Sequence, residues 1–108
     1  MRIKLWSFEK VKTLISANDE VEIPPEVEFA RAIDWGVPID AYLTNAARVG
    51  TRFAASVYLD RSGMSADGMT VITPSVREVA RIEGLEMLQS ISGNDHYVIV
   101  TRMSAWGS

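Results

Sequence analysis

From Phe53 to Asp60 apolar and polar residues alternate strictly, with Phe53, Ala55, Val57 and Leu59 interleaved with Ala54, Ser56, Tyr58 and Asp60. A repeat of two is the signature of an extended strand with a single buried face. Turn formers follow in Arg61 to Gly68 (RSGMSADG), and Met69 to Thr73 (MTVIT) returns as a second strand. An antiparallel hairpin over residues 51–74 is therefore the firmest constraint on the fold. Its face of Phe53, Ala55, Val57 and Leu59 must be covered by the rest of the chain, because a slip of one residue would send the whole apolar set to solvent.

The first half of the chain reads as mainly helical. Arg2 to Trp6 (RIKLW) alternates like a short strand, and Ser7 can cap a first helix in which Phe8, Val11, Leu14 and Ile15 recur at helical steps. After a loop over Asp19 to Pro25, a second helix is expected from Pro25. Proline sits in its first turn, Glu26 and Glu28 face the positive end of the dipole, and Val27, Phe29, Ala30 and Ile33 form the buried side. Gly36 is placed to end it, and Pro38 to open a third helix along Ile39, Tyr42, Leu43 and Ala46 that Gly50 closes.

Residues 75–92 support two readings. Ser75 and Glu78 have capping-box spacing, and apolar residues recur every third position, which suits a helix over a short range. A step of three drifts by about 60° each time around a helix, so no single face stays buried. Strands turning at Glu83 and Gly84 are preferred, since Leu85 to Ser92, Gly93-Asn94-Asp95 and Tyr97 to Thr101 also read as a hairpin. The expected class is thus α+β: two or three N-terminal helices in residues 1–50 packed on a mainly antiparallel sheet in residues 51–103. A tail occupies residues 104–108 of a single domain, 1–108.

Composition narrows the function classes. At 108 residues, 47% hydrophobic and 23% charged, the chain is an ordinary globular domain that can bury a core. It holds no cysteine, so disulfides and thiolate chemistry are excluded. Ser7, Glu9, Lys10 and Lys12 interrupt any signal-like apolar run, and no stretch approaches the ~20 apolar residues of a membrane span. The expectation is a cytoplasmic protein with no membrane partner. A pI near 5.1 argues against wrapping phosphate backbones, so no direct nucleic-acid contact is expected.

No cofactor or metal is expected either. His96 is the single histidine and has no second His or Cys to complete a zinc site. Gly63 and Gly68 lack the spacing and the lysine of a phosphate loop, so a hairpin loop explains them. A small enzyme would need a site near Asp60, Arg61 and His96, with Tyr58 beside them. The loop residues Asp60, Arg61 and Asp67 are otherwise a solvated turn.

The segment Ala32 to Leu43 (AIDWGVPIDAYL) resembles the helix-turn-helix class in its Ala, three residues, then Gly-Val and a polar helix start; Gly-Val-Pro-Ile-Asp is similar to the closing helices of Cro-like repressor domains. The resemblance covers about a dozen residues and implies a DNA-binding regulator using a helix-turn-helix-like corner at residues 26–49. The sequence departs from that pattern at residues 13–28, which hold acids and two prolines, and only Asn45 and Arg48 suit base reading.

Charge is also sorted along the chain. Residues 1–18 carry Arg2, Lys4, Lys10 and Lys12 against Glu9, whereas residues 19–45 carry Asp19, Glu20, Glu22, Glu26, Glu28, Asp34 and Asp40 against Arg31. Such a run attracts a basic surface and speeds encounter. Trp35 lies beside Asp34 and Asp40 and adds the aromatic area common at binding hot spots. The expected partner-binding set is Asp19, Glu20, Glu22, Glu26, Glu28, Trp35 and Asp40. The expected function is a small, acidic, non-enzymatic binding protein that occupies a basic surface of a protein partner. Its general character is similar to that of phage and mobile-element accessory proteins, including anti-CRISPR-like inhibitors of nucleic-acid-binding host complexes, although no residue motif carries that likeness. A homodimer through an exposed sheet edge is a further expectation.

Overall fold

A computed structural model of the protein describes residues 22–103. Its elements are a helix α1 (Pro25–Arg31) and strands β1 (Ala41–Val49), β2 (Arg52–Tyr58), β3 (Thr70–Ile72), β4 (Val76–Ile82), β5 (Leu85–Ser90) and β6 (His96–Ile99). The strands form one mixed sheet in the order β3-β2-β1-β6-β5-β4. All neighbours are antiparallel except β1 and β6, which run parallel at the centre.

This corrects the expected α+β arrangement of two or three N-terminal helices on a sheet. Among the described residues there is one helix, of 7 residues, and the fold is a six-stranded mixed sheet. The second helix forms where Pro25, Glu26 and Glu28 place it and buries Val27 and Ala30, but it stops at Arg31 and leaves Phe29 53% exposed. Gly36 serves a separate turn, with φ +81° and its N–H donated to Asp34 Oδ1 at 3.0 Å. The third helix is absent, because its residues are β1. Residues 41–49 therefore belong to the sheet, and no helical half ends at residue 50. The expected strand Arg2–Trp6, the first helix, and the tail 104–108 lie outside the described residues.

Two features of β1 explain why its sequence looks helical. A central strand packed on both faces reads as a continuous apolar run rather than an alternation; here Ala41 and Leu43 enter one core cluster and Tyr42 the other. A bulge then interrupts the pairing between Thr44 and Ala47, with Asn45 at φ +51°. The extra residue shifts the phase, so Leu43 and Ala46 share a face three residues apart. That spacing imitates a helical stripe.

The hairpin over 51–74 forms as its alternation requires. β2 pairs antiparallel with β3, and Phe53, Ala55 and Val57 are buried on one face. Leu59 does not join them: it lies past the strand end at φ +56° and packs with the opposite cluster. Residues 76–90 are two strands joined at Glu83 and Gly84, whose φ values of +53° and +81° suit a type I′ turn. β5 and β6 complete the next hairpin.

The sheet curls back on itself. β2 and β4 are four strand spacings apart in the order, roughly 19 Å in a flat sheet. Yet Phe53 of β2 and Val76 of β4 belong to one packed cluster, and the Val76 N–H donates to Thr51 O at 2.9 Å. The short link Thr73–Ser75 draws the two edge strands together, fastened by a 2.8 Å bond between the Thr51 and Ser75 hydroxyls and by Phe53 N–H to Thr73 Oγ1 at 3.0 Å. The concave side encloses Leu43, Phe53, Ala55, Val57, Leu88 and Ile99. The outer side holds Tyr42, Met87, Val98 and Val100 under Val27 and Ala30 of α1.

Candidate functional site

A cavity of about 420 Å³ opens at one end of the concave side. Its position follows from strand register. Asp40 immediately precedes β1, Asp60 lies two residues beyond Tyr58 at the end of β2, and Asp95 immediately precedes β6. The antiparallel pair Tyr42 and Tyr58 and the parallel pair Ala41 and Tyr97 bring these three strand ends to the same edge of the sheet. All three aspartates line the cavity, with Leu43, Val57, Val71 and Tyr97 inside and Met64, Ile72 and Pro74 at its rim.

The carboxylates differ in how they are occupied. Asp60 organises its own loop: Oδ1 accepts the Ser62 N–H at 3.0 Å and the Ser62 hydroxyl at 2.9 Å, and Oδ2 accepts the Ser65 N–H at 2.9 Å. Asp40 Oδ2 accepts the His96 N–H at 2.8 Å, fixing the start of β6, while Oδ1 meets Arg61 Nη1 at 3.3 Å. Among the described residues, no donor reaches the Asp95 carboxylate and the Tyr97 hydroxyl makes no hydrogen bond. Burial pushes the Tyr97 hydroxyl up to about 12, with Asp95, Asp40 and Asp60 adding to the rise. The phenol therefore stays a neutral donor across the physiological range, inside a negative, partly apolar cavity. A cation with an apolar stem suits that lining.

The expected site residues are dispersed. Asp40 is at the cavity mouth, but Glu22, Glu26 and Glu28 are exposed around α1, and Glu28 lies 3.7 Å from Arg31. Trp35 is buried, and its Nε1 donates to Ala30 O at 3.0 Å. Asp19 and Glu20 lie outside the described residues. The trio Asp60, Arg61 and His96 does not converge, because the His96 ring lies on the other face of β6 beside Gln89, at 3.4 Å, while Tyr97 turns inward. Asp67 accepts the Leu59 N–H at 2.8 Å and holds the loop after β2. The residues 41–49 that a groove-reading corner would use are strand.

Sequence reasoning missed Asp95 as a lining residue and Tyr97 altogether. The available signal was positional: each lining aspartate stands near a strand boundary, and the pairing of β1 with both β2 and β6 unites them. Among the described residues, no group of three or more His, Asp or Glu side chains is arranged to hold a metal ion.

The opposite end of the same sheet is rich in arginine. The guanidinium carbons of Arg48 and Arg102 each lie 5.1 Å from the centre of the Phe53 ring. Glu86, with its side chain 12% exposed, accepts from Arg102 at 2.7 and 3.1 Å and from Arg81 at 2.9 Å. These contacts tie β2, β4, β5 and the chain after β6 together.

Compared with known proteins, the chain matches no protein-family model, and no curated protein or solved structure matches it. Among the described residues, no helix is long and apolar enough to cross a membrane.

Proposed function

We propose that the chain is a non-enzymatic binding protein that occupies a basic surface of a protein partner through the aspartate-lined cavity. The observation that supports this reading is the convergence of Asp40, Asp60 and Asp95 on one cavity with apolar walls, where Arg61 is the only described cation paired with any of them. Negative charge around a recess of low polarity focuses its field and raises the encounter rate with a positive partner. Glu22 and Glu26, exposed near and on α1, extend the same attraction over a second face. One concrete form is an inhibitor covering a nucleic-acid-binding surface, its carboxylates standing where phosphates would lie.

The test is kinetic. A partner is captured by the purified protein from its native host, and association and dissociation rates are measured across ionic strength. Association should slow as salt rises from 0.1 to 1 M, over which the Debye length falls from about 10 to about 3 Å. Charge reversal of Glu22 and Glu26 should slow association more than it speeds dissociation. An association rate indifferent to both changes contradicts the reading.

A further inference from the structure

We infer that the cavity admits a single arginine side chain of the partner, carried on a segment with an apolar neighbour. The inference rests on the proposed binding role and names the group that enters. Asp40 and Asp60 already accept internal donors on both oxygens, which leaves Asp95 as the one of the three cavity aspartates with both oxygens uncommitted to any described residue. A guanidinium can meet it with two parallel N–H bonds and still direct further donors sideways to the remaining lone pairs of the other two aspartates. An ammonium is a compact point charge without that fork, and it is the more strongly hydrated ion, so entering a cavity walled by Leu43 and Val57 costs it more. The arginine stem has apolar walls to lie against, and the exposed side chains of Met64 and Ile72 at the rim suit an apolar residue beside it. The Tyr97 hydroxyl, held neutral, adds no charge against the cation.

The probes are N-acetyl-arginine methylamide, the lysine analogue, and the citrulline analogue, which keeps the shape of arginine without its charge. Each is titrated into isotope-labelled protein while backbone amide shifts are followed by NMR. The arginine compound should move the amides of Leu43, Val57, Asp95 and Tyr97. The citrulline compound should bind at least about tenfold more weakly, and Asp95→Asn should weaken arginine binding by roughly tenfold.

Equal affinity for citrulline or lysine, shifts confined to another surface, or no shifts overturn the inference. Concentration-dependent shifts of these amides without any probe would show that a second copy of this chain fills the cavity, and also overturn it. A captured partner that keeps its salt-dependent association with Asp95→Asn would leave the binding role standing while removing the arginine.

Discussion

The two ends of the curled sheet carry opposite charges and use them differently. At the arginine end, Arg81 and Arg102 converge on Glu86, and Arg48 and Arg102 flank the Phe53 ring, so charge is consumed inside the fold. At the aspartate end, Asp40 and Asp60 fix the backbone of their own loops, but Asp95 and Tyr97 line a cavity where neither side chain has a hydrogen-bond partner among the described residues. Pairing converts charge into stability at one end; incomplete pairing leaves it available at the other. The same strands connect both ends, separated by the length of β1, about 25 Å. Substitutions at the arginine end should therefore cost stability, and those at the aspartate end should cost binding.

The largest expected effect is at Phe53, 1% exposed and under two guanidinium groups. Phe53→Ala should destabilise the fold by about 3–5 kcal/mol in urea unfolding, through lost burial and the cavity left behind. A loss below about 1 kcal/mol would show that the ring does not anchor this end. Next is Glu86→Gln, which leaves Arg102 without its carboxylate and Arg81 with Glu78 alone, and should cost about 1–3 kcal/mol. Its control is Glu78→Gln, 41% exposed and paired with Arg81 at 3.2 Å, where about 0.5 kcal/mol or less is expected. Equal losses for the two variants would erase the distinction between the largely enclosed and the solvated acid.

At the aspartate end the expected stability effect is smaller and depends on pH. Tyr97 holds its proton more tightly in the folded chain than in the unfolded one, where tyrosine titrates near 10. Once pH passes 10 the unfolded state binds fewer protons, so stability falls as pH rises from 10 through about 12. Tyr97→Phe should flatten that fall and remove the latest phenolate step from the ultraviolet titration. An unchanged titration would place the late step on another tyrosine.

Much of the fold was legible where one face of a strand is buried. The alternation of Phe53, Ala55 and Val57 identified β2, and the turn residues Glu83-Gly84 and Gly93-Asn94-Asp95 marked the later hairpins. β1 was illegible for a physical reason. Buried on both faces and phase-shifted at Asn45, it presents Leu43 and Ala46 at the spacing of a helix turn. β4 repeats the effect, since its irregularity between Glu78 and Ala80 puts Val76 in one cluster and Ala80 and Ile82 in the other. The cavity was less legible still. Asp40, Asp60 and Asp95 are distant in sequence and meet only through the pairing of β1 with both β2 and β6. The local run of acids near α1 was the louder signal, although it lies on a different element.

The most direct test places one neutral substitution at each end and measures stability and cation binding for both. Asp95→Asn makes or breaks no internal hydrogen bond of its carboxylate among the described residues, so unfolding in urea should match the parent within about 0.5 kcal/mol, while binding of N-acetyl-arginine methylamide weakens by roughly tenfold. Glu86→Gln should do the reverse, losing stability and keeping the parent affinity. If Asp95→Asn destabilises the fold and leaves arginine binding intact, the aspartate end is structural, and the division of labour between the two ends is wrong.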